Sequence, residues 1–387
     1  MALIPTPNHR DLVRSQSLSC SIQQEIDREG SISFSRFMEL ALYHPQFGYY
    51  HADTIEIGKR GDFTTAPEIS PLFGQCIARQ IAQIHLHLKQ LDLLELGAGT
   101  GKLAGDLLLE LQKLNCLPIH YYIYEISTVL RNKQQQHLKK ILPDYYSRII
   151  WLDALPTTFT GIILANEVLD ALPVHRFLID QHQCYELSVM GKNEKFDWLP
   201  TSASDVLLAK INYLAQRYQL QPGYISEINL QLKHLIKTLA SALTQGVMLL
   251  LDYGYGQQEY YHPQRNRGTL TCFYQHKINN NPFDLPGLQD ITAHVDFTEV
   301  IEIASDHGCT LNGFTTQAAF LLNCGLTQIA AEISGQLNRE DEFRLHQAIK
   351  TLTLPTEMGE VVKVMALGKN FDQDLLGFCL HDRRRLL

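Results

Sequence analysis

The stretch that decides the fold is residues 91–106, which read LDLLELGAGTGKLAGD. Its leucine-rich beginning, interrupted only by Asp92 and Glu95, predicts a buried strand. Leucines spaced by three and four then predict a helix over residues 102–114. A strand, a tight turn and a helix start bring bare backbone and the positive end of a helix dipole against a ligand. The turn itself contains Gly97, Gly99 and Gly101.

The glycine spacing excludes two common phosphate-binding loops. The dinucleotide pattern Gly-x-Gly-x-x-Gly needs a glycine where Lys102 stands, and the P-loop needs a terminal Gly-Lys-Ser/Thr. Residues 97–101, preceded by Glu95-Leu96, instead resemble the first motif of class I S-adenosylmethionine (SAM) methyltransferases. In those enzymes the turn wraps the amino-acid and ribose end of the cofactor. A structural turn without a ligand is the alternative.

An acid stands at the end of the next predicted strand, residues 119–124, which is rich in β-branched and aromatic residues. Glu125 lies 24 positions after Gly101. At the carboxyl end of a parallel strand, such an acid can accept both hydrogen bonds from a ribose diol. The pattern therefore favours a bound nucleoside over a bare turn.

Polar residues also follow two further predicted strands, 149–152 and 161–165. Asp153-Ala154 follows the first, at the position that receives the adenine amino group in class I methyltransferases. Asn166 and Glu167 follow the second. Ligands of open α/β sheets bind at this carboxyl edge, so the polar strand ends predict one site.

Composition excludes several other classes of protein. With 33 basic and 41 acidic residues the net charge is −8, which argues against nonspecific nucleic-acid binding. The eight cysteines include no C-x-x-C pair and the sixteen histidines form no ligand cluster, so no metal site and no disulfide framework are predicted. No apolar run is long enough to span a bilayer. The N-terminus lacks a secretion signal, so we predict a cytoplasmic protein; its weakly basic, serine-containing start leaves a transit peptide as the alternative.

Six motifs along the chain, in the expected order, resemble the MidA-like family of SAM-dependent methyltransferases; they occupy residues 42–50, 61–70, 94–101, 166–173, 251–254 and 287–297. The resemblance runs from about residue 20 to the end. It implies SAM as cofactor and, for the mitochondrial member that assists assembly of respiratory complex I, symmetric dimethylation of an arginine in a complex I subunit. It does not imply the substrates of bacterial members.

The predicted fold class is α/β: a class I SAM-methyltransferase Rossmann-like sheet with a helical N-terminal preface and substrate-side insertions. The resemblance implies seven strands, one of them antiparallel. We expect one helix over residues 21–41 in the preface and further strands over 246–251, 310–315 and 360–367. The predicted division of the chain is residues 1–90 (helical segment and cofactor-covering loop), 91–254 (SAM-binding core, with an excursion over 174–228), 255–352 (substrate-side insertion and helices) and 353–387 (final strand and C-terminus).

Two acids are the predicted catalytic residues, Glu167 and Asp170. They are three positions apart and share a face if Asn166 starts a helical turn. An arginine acceptor has a pKa above about 12, and carboxylates can hold its guanidinium by paired hydrogen bonds. Asp170 could equally be a cap or a surface acid, and Asn166 could cap the turn. The predicted cofactor-binding residues are Thr65, Glu95, Gly97, Ala98, Gly99, Thr100, Gly101, Glu125, Ile126, Asp153, Ala154 and Asn166.

The function predicted on this basis is SAM-dependent methylation of an arginine in a protein subunit of the respiratory-complex type. A methyltransferase of a small molecule or of another side chain is one alternative. A SAM-binding assembly factor without catalysis is another. The aromatic and basic stretch 255–290 is either a substrate surface or a solvated ordered loop. The sequence predicts no nucleic-acid partner and does not reveal the oligomeric state.

Overall fold

The structure is a computed structural model that describes residues 5–387 apart from 54, 56–57, 59–60, 63, 89, 182 and 193–194. Its helices are α1 (His9–Glu29), α2 (Phe34–Tyr43), α3 (Ala66–Ile69), α4 (Pro71–His85), α5 (Lys102–Lys113), α6 (Thr128–Ile141), α7 (Asp205–Tyr218), α8 (Leu230–Ala242), α9 (Gln257–Tyr260), α10 (Phe297–Asp306), α11 (Gln317–Asn323), α12 (Leu326–Ser334), α13 (Arg339–Thr353) and α14 (Met358–Val361).

The strands follow the same chain order. They are β1 (Ile32–Ser33), β2 (Leu93–Leu96), β3 (Tyr121–Tyr124), β4 (Ile149–Leu152), β5 (Phe159–Asn166), β6 (His175–Ile179), β7 (Cys184–Lys192), β8 (Lys195–Ser202), β9 (Ile225–Ile228), β10 (Leu243–Tyr255), β11 (Thr271–Tyr274), β12 (Lys277–Asn279), β13 (Asp290–Thr292), β14 (Val295–Asp296), β15 (Thr310–Thr316) and β16 (Val362–Lys369).

The main sheet has the strand order β15-β16-β10-β5-β2-β3-β4. β16 is antiparallel to both of its neighbours, and the other pairs in this order are parallel. The short strand β14 adds to the end of β10. This sheet confirms the predicted α/β fold class and its single antiparallel strand.

Apolar helices cover both faces of the main sheet, and they bury its central strands on both sides. All four residues of β2 are buried. One face packs against α4, α5 and the helices that follow β15, and the other packs against α8 and α10. Gly161 permits a close approach in β5, since a Cβ there would lie 2.1 Å from the carbonyl oxygen of Asp92. The carboxyl edge of the sheet is left for the site.

A second sheet, in the order β1-β7-β6-β9 with β8 on β7, joins the N-terminal segment to the excursion after β5. The expected hairpin over residues 174–190 is present as β6 and β7, whereas β8 and α7 were not predicted. Helix α2 packs against this sheet and ends at Tyr43 beside the carboxyl edge of the main sheet. A third, small sheet contains β12, β11 and β13.

The prediction of one helix over residues 21–41 is wrong. Gly30 adopts a φ of +82° and ends α1, which a residue with a side chain would resist. After β1, Ser33 caps α2 by accepting a hydrogen bond from the Arg36 backbone N–H. The division of the chain at residues 90, 254 and 352 stays a prediction. Of the helices described, none has the length and apolar character to cross a bilayer.

Candidate active site

A cleft of about 420 Å³ lies over the carboxyl ends of β2, β3 and β5. This volume is in the range of small-molecule sites. The predicted cofactor-binding residues that line it are Thr65, Glu95, Gly97, Ala98, Gly99, Thr100, Glu125, Ile126 and Asn166. Three predicted residues, Gly101, Asp153 and Ala154, are not among its lining residues. Of the two predicted catalytic acids, Glu167 lines the cleft and Asp170 does not.

The glycine turn has the backbone conformation that only glycine adopts readily. Its three glycines have φ values of +61°, +54° and +82°, and α5 begins directly after them. The carbonyl of Gly99 accepts a hydrogen bond from Gln134 Nε2 at 3.0 Å. Gln134 therefore ties the turn to the neighbouring helix α6, and the backbone of the turn faces the cleft.

Glu125 is a buried acid at the end of β3. One carboxylate oxygen accepts from the Ser127 backbone N–H at 2.9 Å, and the other accepts from Gln134 Nε2 at 2.9 Å. Each oxygen keeps a further acceptor position. Burial raises the pKa of Glu125. Two fixed acceptors side by side, in a cleft beside the glycine turn, suit the two hydroxyls of a ribose.

Glu95 supplies a second acid to the same part of the cleft. Its carboxylate accepts a hydrogen bond from Tyr121 Oη at 2.8 Å, and it is 3% exposed. Burial raises the pKa of Glu95 to about 7. A cationic group placed beside it would favour the ionised carboxylate. The amino group of SAM is such a cation, so these residues fit the cofactor that the glycine turn indicates.

We expect Glu125→Ala to weaken SAM binding, because the variant removes both acceptors for the ribose hydroxyls. The expected loss is on the order of 1–3 kcal/mol for hydrogen bonds to a charged group. Isothermal titration with SAM and with S-adenosylhomocysteine measures it. Asp144→Ala, at an exposed acid before β4, is the matched control and should bind as the wild type does. Unchanged affinity in Glu125→Ala would show that the ribose is bound elsewhere.

Glu167 follows β5 in a left-handed conformation, with a φ of +53°. Its Oε1 accepts hydrogen bonds from the Ala66 backbone N–H at 3.3 Å and from Asn166 Nδ2 at 3.2 Å. Enclosure by the protein raises the pKa of Glu167 to about 8. Asn166 Oδ1 is buried and lacks a partner within the described residues. The cleft thus holds a half-buried carboxyl group and an adjacent unused acceptor.

The expectation that Asn166 starts a helical turn is wrong. Asn166 is the last residue of β5, and residues 167–174 form no helix. One oxygen of the Asp252 carboxylate, at the end of β10, instead accepts from the backbone N–H groups of Val168, Leu169 and Asp170 at 3.1, 2.8 and 3.3 Å. This long-range contact shapes the loop and places Glu167 and Asp170 in different surroundings.

Asp170 is 6% exposed and lies behind the cleft. Burial, followed by the charge of Asp252, raises the pKa of Asp170 well above its ordinary value. Asp252 is 1% exposed, and burial raises its pKa as well. Sequence reasoning noted the motif over residues 251–254 without giving Asp252 a role. A supporting role for Asp170 stays a prediction.

The strand end at β4 differs from the other three. The Asp153 side chain is 89% exposed and pairs with Arg131 at 2.6 Å. Its role toward an adenine group, and that of Ala154, stay predictions. None of residues 255–290, all of which the structure describes, lines the cleft. Tyr43 and Tyr50 also line the cleft; both lie in the motif over residues 42–50, and sequence reasoning gave neither a role in the site.

A buried strand, a glycine turn at a helix start and an acid ending the next parallel strand define a class I SAM-dependent methyltransferase. A family model described as "Putative S-adenosyl-L-methionine-dependent methyltransferase" matches residues 76–315. The chain belongs to this family, which confirms the resemblance to MidA-like proteins and SAM as the cofactor.

Similar proteins with names and structures agree with this assignment. The chain is 28% identical to "Protein arginine methyltransferase NDUFAF7, mitochondrial" of Danio rerio, over 89% of this chain and 85% of that protein. It is 27% identical to the Homo sapiens protein of the same name, over 89% and 82%. The chain is 37% identical, over the full length of both chains and with a TM-score of 0.94, to a Burkholderia thailandensis structure described as "a COG1565 superfamily member and likely methyl transferase", which has S-adenosyl-homocysteine bound.

One prediction is corrected by these relatives. The sequence predicted a cytoplasmic protein from the lack of a secretion signal. The curated relatives from Danio rerio, Drosophila melanogaster and Homo sapiens are named as mitochondrial proteins, which contradicts that prediction. The absence of a secretion signal does not distinguish these two compartments.

Proposed function

We propose that this methyltransferase acts on the side chain of arginine in a protein, with Glu167 as the carboxylate that orients the acceptor. The observation that carries the proposal is the position of Glu167, in the cleft beside the cofactor-binding turn. Within the described part of the chain no ion pair engages Glu167. A carboxyl group in this setting is available to a cationic acceptor, and the charge of that acceptor favours its ionised form.

The charge of the cleft supports a cationic acceptor. Among the described lining residues one is basic, Lys102, and it pairs with Asp106 at 2.5 Å. The acidic lining residues are Glu39, Glu68, Glu95, Glu125 and Glu167, and of these Glu39 pairs with Arg36. Positive ligands are favoured in a cleft lined by one sign of charge. The relatives named protein arginine methyltransferases point to the same kind of acceptor.

An arginine nitrogen needs help to act as a nucleophile, because its lone pair is delocalised over a cation with a pKa above about 12. Bound SAM would supply an electrophilic methyl group: the nitrogen–carbon bond forms as the carbon–sulfur bond breaks, S-adenosylhomocysteine leaves, and the acceptor nitrogen releases one proton to water. Glu167 would accept hydrogen bonds from the other guanidinium nitrogens and hold positive charge away from the attacking one. Asp252 would keep Glu167 in place through the loop that it caps. Such positioning can supply several powers of ten in rate.

A protein partner follows from this proposal, and a subunit of a respiratory complex is the first candidate, carried by the family resemblance alone. Incubating the purified chain and methyl-labelled SAM with lysate from cells that lack it tests the function. We expect label on a protein arginine, identified by mass spectrometry of the modified peptide. Label only on small molecules or on other side chains would contradict the proposal.

We expect turnover to depend on pH through Glu167. The pKa of Glu167 is raised to about 8 by its enclosure, so below that pH the free enzyme holds it protonated and unable to accept two hydrogen bonds. The kcat/KM for the acceptor should therefore fall as the pH drops below about 8. A profile measured from pH 6 to 9 at saturating SAM tests this. In Glu167→Gln this fall in kcat/KM at low pH should be absent. The same fall in both proteins would show that another group causes it.

A further inference from the structure

Two tyrosines to which sequence reasoning gave no role form one side of the cleft. The rings of Tyr43, at the end of α2, and Tyr50 are stacked, with centroids 5.4 Å apart and planes 23° from parallel. Both residues are half-buried and line the cleft together with Glu167. Tyr49 packs its ring against Tyr50 at 82°. We call the pair Tyr43 and Tyr50 the tyrosine wall.

The hydroxyl groups of the tyrosine wall are already engaged. Tyr43 Oη donates to the backbone carbonyl of Ala171 at 2.9 Å. Tyr50 Oη donates to Asp290 Oδ1 at 2.8 Å, and Asp290, on β13, is 2% exposed. Burial raises the pKa of both tyrosines, so neither acts as a base near neutral pH. What the wall offers a ligand is aromatic carbon surface.

The wall is fixed between the two loops that carry the acids of the site. On one side, Ser127 Oγ donates to the backbone carbonyl of Tyr50, and the Ser127 N–H donates to Glu125. On the other side, Ala171 belongs to the loop that begins at Glu167. The wall therefore reaches from the acid suited to the ribose to the acid suited to the acceptor, on elements outside the core sheet.

We infer that the tyrosine wall is the surface on which the acceptor cation rests, and that it selects a planar guanidinium, unmethylated or carrying one methyl group, over an ammonium. This inference rests on the proposed function and names which cations the same site takes. A guanidinium is planar, weakly hydrated and stacks on aromatic rings, with its edge left for the Glu167 carboxylate. A first methyl group adds apolar surface that the wall can cover.

A lysine ammonium fits this surface poorly. It is compact and strongly hydrated, and its three donors need acceptors arranged around it. The ring faces of the wall carry no oxygen or nitrogen acceptor, so they cannot replace that water. The selection comes from aromatic surface beside one carboxyl group, and neither feature alone would distinguish the two cations.

Binding to the chain saturated with S-adenosylhomocysteine tests the inference without requiring turnover. The probes are acetylated and amidated Gly-X-Gly peptides in which X is arginine, monomethylarginine or lysine, measured by ligand-observed NMR. We expect the arginine and monomethylarginine peptides to bind about tenfold more tightly than the lysine peptide. Equal affinity for arginine and lysine, or loss of binding on monomethylation, would overturn the inference.

Variants locate that selectivity on the wall. Tyr50→Leu should weaken binding of the arginine peptide about tenfold and leave S-adenosylhomocysteine affinity within about twofold. Tyr50→Phe keeps the ring and should stay close to wild type. Tyr213→Leu, at an exposed tyrosine on α7, is the matched control. Equal loss of both ligands in Tyr50→Leu would assign the wall to the cofactor and overturn the inference.

The two proposals fail in different ways. Suppose that the wild-type chain labels protein arginine and that Tyr50→Leu changes neither peptide affinity nor the KM of the acceptor. The inferred role of the tyrosine wall is then wrong, and the proposed function is unaffected. If the label goes to another side chain, the function is wrong, whatever the peptides show. Thermal unfolding of each variant with S-adenosylhomocysteine bound confirms that the compared proteins are folded.

Discussion

Replacing Glu167 by glutamine is expected to lower methyl transfer at least about tenfold, while SAM affinity stays within about twofold of wild type. Glutamine has nearly the same shape, but it is neutral and has a single acceptor oxygen. It can still accept from the Ala66 backbone N–H, as Glu167 does. The variant should therefore preserve the structure of the cleft and lose the paired hydrogen bonds to the guanidinium. Titration with SAM and transfer of a labelled methyl group measure the two effects separately.

The control for this variant is Glu302→Gln, at an exposed acid on α10, which should transfer methyl groups at the wild-type rate.

The stability of Glu167→Gln gives a further check. The folded pKa of Glu167 is about 8, above the unfolded value of about 4.3. Its contribution is fully present below pH 4 and is lost as the pH rises through about 8. Glu167→Gln should thus unfold at a higher temperature than wild type above pH 8. Normal transfer by Glu167→Gln would remove this residue from the mechanism.

Asp252→Ala is expected to have the largest effect on stability. The Asp252 carboxylate accepts three backbone hydrogen bonds from the loop after Glu167. The N–H groups of Leu169 and Asp170 are buried, and leaving them without a partner costs at least about 1 kcal/mol each, so the free energy of unfolding should fall by about 2 kcal/mol or more. Methyl transfer should fall as well, because the loop no longer holds Glu167. Urea unfolding followed by circular dichroism measures the first effect.

Asp252→Asn distinguishes the hydrogen bonds that Asp252 accepts from the loop from the effect of its negative charge. Asparagine keeps one acceptor oxygen for the loop, so its loss of stability should be smaller than that of Asp252→Ala. It also removes a negative charge that raises the pKa of Glu167, which should move the acid limb of turnover to lower pH. Asp144→Ala again serves as the control for an exposed acid. If Asp252→Ala unfolds at the wild-type urea concentration, the cap does not hold the loop.

The core of the fold could be predicted because its signals are local. Strand β2, the glycine turn and helix α5 follow one another in residues 91–114, and each has its own pattern of apolar residues and glycines. Glu125 could be found for the same reason, since it directly follows a recognisable strand. The sequence also contained Gly30, whose φ of +82° divides the first predicted helix in two. That glycine was a usable signal and was overlooked.

The rest of the site depends on contacts between distant residues. Tyr50 and Asp290 are 240 positions apart, and Asp252 is 84 positions from the first N–H that it caps. Periodicity describes neighbours along one element, so it could not show that a capped loop follows Asn166 in place of the helical turn that would put Glu167 and Asp170 on one face. Strand β8 was missed because Pro200 lies within it, and a proline weakens a strand pattern.

We expect the nucleoside bound by Glu125 to present its methyl end to Glu167, beside the tyrosine wall. A crystal structure of this chain with S-adenosylhomocysteine tests it most directly. We expect both ribose hydroxyls to bind the Glu125 carboxylate and the sulfur to face Glu167. A ligand whose ribose lies away from Glu125, or whose sulfur points away from Glu167, would contradict it.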